Sequence, residues 1–178
     1  MRSIWLALLV AVPAADLAPG ADSGGIRGLV SGLIYDAASR SIRPVVGAPG
    51  AAYLGEPLAR ELDAAWLAPD GDQALALSGG SVYWLKGLRS ASLEWRAVPL
   101  AEGRPALVAW AADSSAAAVY APGRLMLVSQ AAGVVAVFST DSLGGRISAL
   151  AVAGDAAVLA GVEGAGLYRL SAAGEPSL

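Results

Sequence analysis

The side chains able to do chemistry in this chain are few, and almost all of them are acidic. The sequence contains no histidine, no cysteine and no asparagine. That removes thiolate nucleophiles, disulfides, imidazole metal ligands, Ser-His-Asp relays and N-linked glycosylation together. What a histidine-free chain can still use is a pair of carboxylates, one held protonated by its surroundings beside an ionised partner. Glu56, Glu61 and Asp63 lie close enough in sequence to be considered, with Arg60 among them. The plainer reading is solvated charge in a loop, since spacing in sequence does not imply spacing in space. Asp70-Gly-Asp72 offers two oxygen ligands, whereas Ca²⁺ takes about six or more. As a turn, Pro69-Asp70-Gly71 needs no ion, because Pro presets φ and Gly accepts a positive one. The glycines of Gly161-Val-Glu-Gly164-Ala-Gly166 have the wrong spacing for a dinucleotide fingerprint and fall where a turn between strands is expected. No catalytic residue, cofactor site or metal site follows from these residues.

Binding is the chemistry that remains. Trp84 and Trp95 are placed to face each other across a hairpin, where exposed aromatics stack on sugars or peptides, although packing on a strand face is the commoner use of Trp. Residues 47–61 hold Pro49, Gly50, Gly55 and Pro57 and read as a long loop, with Tyr53, Leu54, Glu56 and Arg60 as a candidate binding surface. The alternative use of that loop is to cap an open sheet edge at the start of the array. Arginines are scattered, Lys86 is the only lysine, the net charge is −3 and the pI is about 4.8. Nucleic acid is therefore not an expected partner.

These residues need a scaffold, and a repeat supplies it. Three stretches share an apolar run, an acidic turn, a second apolar run and a Gly-rich turn, with the turn aspartates at Asp70, Asp113 and Asp155. Their spacings are 43 and 42 residues, and Trp66 and Trp110 are 44 apart. Runs of four to seven apolar residues punctuated by Gly, Pro, Asp and Ser read as short strands. A period in the range of roughly 40 to 50 residues with several strands per unit predicts four-stranded propeller blades. The expected organisation is a half blade over residues 28–46, the loop at 47–61, and blades over 62–100, 106–140 and 147–178, the last lacking its fourth strand. The first run of each unit, being apolar nearly throughout, is expected to be the innermost strand, covered on both faces.

Trp66-Leu-Ala-Pro-Asp70-Gly71 resembles the "(W/F)-S-P-D-G" turn of bacterial β-propeller repeat proteins of the WD-repeat and YVTN-like kind. Ala112-Asp113-Ser114 and Gly154-Asp155-Ala156 are more distant forms of it, and the Gly-His and Trp-Asp dipeptides of WD repeats are absent. The resemblance implies an all-β, antiparallel, incomplete propeller of four-stranded blades and a habit of binding, without one shared activity.

Arg2, the apolar residues 4–12 and small residues near Ala15 and Ala21 have the order of a cleaved signal peptide over residues 1–21, ahead of a partial propeller over 22–178. The apolar stretch falls short of the roughly 20 residues that span a bilayer, so no transmembrane segment is expected in the mature chain. The expectation is a periplasmic or secreted, non-catalytic binding scaffold for a protein or other extracytoplasmic ligand. The alternative is a piece of a secreted propeller enzyme acting on carbohydrate or peptide, with its catalytic residues elsewhere. An outer-membrane barrel fits poorly, because its strands run about 9 to 11 residues. About three and a half units per chain leave an open ring, so either the chain is part of a longer reading frame or two copies form a homodimer that closes one seven-blade ring.

Overall fold

A computed structural model describes residues 29–90, 92–99, 104–154 and 156–171. The signal-peptide segment, Asp155 and the segment 172–178 lie outside the described residues. The described residues form four antiparallel sheets and one 3₁₀ turn at Asp141–Leu143. The first sheet is β1 (Val30–Asp36), β2 (Ser41–Val46) and β3 (Tyr53–Leu54), in that spatial order. The second runs β4 (Ala64–Leu67), β5 (Gln73–Ser78), β6 (Ser81–Lys86), β7 (Glu94–Val98), and the third runs β8 (Leu107–Trp110), β9 (Ala116–Ala121), β10 (Arg124–Ser129), β11 (Gly133–Ser139). The fourth comprises β12 (Ile147–Val152), β13 (Val158–Val162) and β14 (Gly166–Leu170). Every strand pairs with its sequence neighbour, which is the pattern of hairpin-linked meanders.

Two expectations are corrected. The segment 47–61 is not simply a loop: Tyr53 and Leu54 pair with Val46 and Val45, and Ala59 bridges Ile42, so the first sheet extends past residue 46. The first strand of each unit is not the one covered on both faces. β9 is buried along its whole length, and β5 and β10 nearly so, while β4 and β8 are mostly half-buried and β12 is largely exposed. Middle strands have a neighbour on each edge and a sheet on each face, whereas a first strand leaves one edge open.

The three acidic turns share one backbone plan. Gly71, Ser114 and Ala156 occupy the same place and all have left-handed φ, at 67°, 61° and 60°. In each turn the amide there donates back three residues: Gly71 to the Ala68 carbonyl, Ser114 to Ala111 and Ala156 to Ala153. Only the first turn has glycine at that left-handed position, where it avoids the steric cost an L side chain carries.

Consecutive sheets pack face to face. Ile42, Leu62, Ala74 and Leu85 join the first sheet to the second. Leu75, Trp84, Val119 and Val128 join the second to the third, and Leu125, Leu127, Val158 and Leu170 join the third to the fourth. The tryptophans explain their own spacing. Trp66 pairs with Leu75 and Trp110 with Ala117, so in the 43-residue repeat they occupy adjacent strand positions, which point to opposite faces. Trp66 therefore faces forward from the second sheet and Trp110 backward from the third, and both enter the same joint.

Candidate functional site

Ligands on such an array meet exposed side chains held by a rigid backbone, and the best-defined group of this kind lies on the outer rim between the first and second sheets. Proline at position 44 leaves β2 without one amide donor, yet its carbonyl accepts from the Gly55 amide (2.8 Å). A Cβ built at Gly55 would sit 2.8 Å from Pro44 Cγ and 3.1 Å from Val46 Cγ2, so only glycine lets the segment lie this close. Arg43 fixes it from the side, Nε donating to the Gly55 carbonyl (2.9 Å) and Nη2 to that of Leu54 (3.3 Å). The same guanidinium is 3.6 Å from the Asp36 carboxylate. The Ser39 hydroxyl, two backbone amides and Arg43 hold Asp36 below the usual carboxylate range, against a partial opposing effect of desolvation.

On this clamped segment Tyr53 is 63% exposed. It pairs with Val46, which shares a strand face with the buried Ile42, so Tyr53 lies on the side of the first sheet that faces the second. Leu54 pairs with Val45 and lies on the opposite side. Glu56 and Arg60, four residues apart in a non-helical segment, form an exposed ion pair at 3.8 Å. The four residues of the candidate loop therefore do not form one surface.

Facing Tyr53's side, the outer strand β7 carries Trp95, 42% exposed, packed edge-on against Tyr83 with ring centroids 5.6 Å apart. Trp95 does not face Trp84. It pairs with Leu85, while Trp84 pairs with Arg96, so the two indoles lie on opposite faces of the second sheet. Trp84 is buried against Trp110 at 4.9 Å, in the joint with the third sheet. Counting the even spacing along β6 and β7 would have shown this once the register was known, but register is set by the turn and not by the strand residues alone.

The carboxylates do not converge. Asp63 accepts from the Gly79 amide (3.0 Å) and forms an ion pair with Arg40, while Glu56 turns to Arg60. Asp70 Oδ1 accepts from the amides of Asp72 (2.8 Å) and Gln73 (3.2 Å), and Oδ2 from Gln73 Nε2 (2.6 Å). Asp72 accepts from the Arg89 amide (3.0 Å). These oxygens complete turns. Asp113 does the same for the Ser115 amide and hydroxyl, at 3.0 and 2.7 Å, and those bonds keep its carboxyl below the usual range, with the hydroxyl contributing most. Among the described residues no three acidic side chains gather in a way that would hold a metal ion. No described helix is long and apolar enough to cross a membrane.

Among solved structures the chain is similar to β-propeller proteins. Catalytically inactive virginiamycin B lyase from Staphylococcus aureus, bound to Quinupristin, matches at 13% identity and a TM-score of 0.54, over 82% of this chain and 50% of the lyase. The dihydro-heme d1 dehydrogenase NirN in complex with DHE matches at 19% identity and TM-score 0.54, over 82% of this chain and 34% of NirN. A functionally unknown protein from Desulfotomaculum acetoxidans matches at 18% and 0.55, over 82% of this chain and 52% of that one. The chain spans about half the length of the lyase. No family model and no curated protein sequence matches. With its antiparallel sheets packed in series, the protein has a β-propeller-like, all-β fold, and these neighbours include enzymes.

Proposed function

We propose that this protein is an exported, non-catalytic propeller scaffold that holds a protein or other extracytoplasmic ligand against the outer rim between its first two sheets. The observation that carries the reading is that two exposed aromatics lie on the facing sides of the first and second sheets: Tyr53 on a backbone clamped by Arg43, and Trp95 braced by Tyr83. Aromatic side chains supply large contact area at low cost in conformational entropy, and they dominate binding energy where they anchor a partner. Export is supported by the order of Arg2, the apolar residues 4–12 and the small residues after them. Kinship with the WD-repeat and YVTN-like kind is supported by Trp66-Leu-Ala-Pro-Asp70-Gly71.

Two experiments test this. Amino-terminal sequencing of the protein recovered from outside the cytoplasm should begin shortly after Ala15 or Ala21, and an intact Met1 there would refute a cleaved leader. Ligands captured from the extracytoplasmic fraction by the purified chain should bind Tyr53→Ser/Trp95→Ser at least about tenfold more weakly, the equivalent of roughly 1.4 kcal/mol. Undiminished binding by a variant with unchanged Tm would move the site off this rim.

A further inference from the structure

The outermost strand of each sheet has one edge without a partner strand among the described residues. Two of these edges are guarded by charge: β7 carries Glu94 and Arg96, and β14 carries Arg169. β3 is only two residues long. β11 is seven residues long and has no charged residue and no proline. Which backbone groups it offers follows from its register. The Thr140 amide donates to the Gly123 carbonyl, and Phe138 pairs with Leu125 and Ala136 with Leu127 in the same register. Hydrogen-bonded positions alternate along an antiparallel strand, so Ala136 and Phe138 turn their amides and carbonyls inward to β10. Those of Val137 and Ser139 point outward, and no described group hydrogen-bonds to them. Val137 is 53% exposed. Towards the start of the strand a bulge interrupts the ladder: Ala136 pairs with Leu127 and Val134 with Val128, leaving Val135 unmatched. The regular run is therefore 136–139, about 14 Å long. Its position is fixed from the neighbouring sheet, where Arg96 donates through Nη1 to the Gln130 carbonyl in the turn that leads into β11.

We propose that the outer edge of β11 takes up an extended, uncharged peptide segment of a partner protein, which adds to the third sheet as a fifth strand. Backbone pairing supplies the attachment. The two amides and two carbonyls of Val137 and Ser139 recur at every second residue, which is the spacing an extended backbone presents. The segment is uncharged because β11 offers no side-chain charge to pair with, and a charge set beside the exposed Val137 loses hydration without gaining a partner. Threonine and valine suit the positions beside it, since β-branched side chains pack well across strands. The shortness of the run separates this occupant from a second copy of the chain. Four residues of edge bury far less than the roughly 1,000 Å² that a stable interface between folded copies needs, and the bulge at Val135 ends regular pairing in that direction. A flexible segment needs only the strand. The edge belongs to the third sheet, so the inference does not rest on the Tyr53 and Trp95 rim.

The probe is a capped heptapeptide of alternating threonine and valine that carries a fluorophore, titrated against the whole chain and followed by anisotropy. It should bind saturably, and the same peptide N-methylated throughout should bind at least about tenfold more weakly, because its side chains are kept and its donors are lost. Val137→Pro is the matching change in the protein. That amide points away from β10, so proline there removes an outward donor and leaves the ladder intact. Peptide binding should fall by at least about tenfold with the β spectrum and Tm kept. Val137→Lys, a charge placed on the exposed edge, should weaken binding likewise and serves if the proline variant does not fold. In the wild-type chain the Val137 and Ser139 amides should exchange with solvent quickly and the Phe138 amide slowly, and the peptide should slow the first two. Failure of the peptide to bind, equal binding of its N-methylated form, or undiminished binding by the folded Val137 variants would each overturn the proposal. A wild-type chain that self-associates and becomes monomeric on Val137→Pro would give the edge to its own copies, and would overturn it as well.

Discussion

The joint between the second and third sheets and the joint between the third and fourth occupy the same place in the repeat, yet they are built from different materials. The former contains Trp66, Trp84 and Trp110 and is laced by directional bonds. Across it, Trp110 Nε1 donates to the Trp66 carbonyl (3.2 Å) and the Asp70 amide to the hydroxyl of the buried Ser114 (3.0 Å), while within the second sheet Trp84 Nε1 donates to Gln73 Oε1 (2.8 Å). The latter has an aliphatic centre, with Leu125, Leu127, Val158 and Leu170, and its aromatic contributors are Tyr120, Phe138 and Tyr168. Hydrophobic burial stabilises both but is non-directional, whereas hydrogen bonds across a joint fix the angle and offset of the two sheets. The central joint is therefore specified more tightly than the one beside it.

Substitutions can break or sharpen that contrast. Trp84→Ala should have the largest effect, a loss of about 3–5 kcal/mol by chemical denaturation, because it removes a buried indole and orphans the Gln73 amide oxygen. Val158→Ala, fully buried in the aliphatic joint, should cost about 2 kcal/mol. If the two losses are equal, the buried indole stabilises the central joint no more than an aliphatic side chain stabilises its neighbour. Ser114→Ala leaves the strained φ in place and deletes only the acceptor for the Asp70 amide, so it should cost about 1 kcal/mol. Ala156→Gly should stabilise by about 0.5 kcal/mol, relief of left-handed strain outweighing the added freedom of the unfolded chain. For chains of this size each kcal/mol moves Tm by roughly 2–4 °C, so the series is resolvable by calorimetry. The smallest effect is in pH. Asp113 is held below the ordinary carboxylate range by Ser115, so its contribution is present above about pH 4 and is lost as acid protonates it. In Asp113→Asn the slope of stability against pH should flatten below that range.

The fold was legible because each level of the sequence agreed. Pro69-Asp70-Gly71, the 43-residue period and the short apolar runs all require hairpins of short strands, and the observed strands from β4 to β14 fall within a residue or two of the runs that announce them. β3 was not legible. Tyr53 and Leu54 are too few to show alternation, and what pairs them is Arg43 reaching across from β2, a tertiary contact with no local signature. The rim was half legible. Tyr53 and Trp95 are visible as aromatics, but which face each occupies follows from the ladder register. Trp84 was assigned to the wrong neighbour for that reason, and Trp110, which it meets, lies in the next repeat.

The single-residue offset of Trp110 within its repeat also bears on how the array can be rebuilt. A cassette copied in perfect register would place both indoles on the same face of their strands, one of them aimed away from the joint they now share. Averaging the units into a consensus, or shuffling them, would erase that match even though every strand survived. The second and third units are thus a matched pair to be moved together.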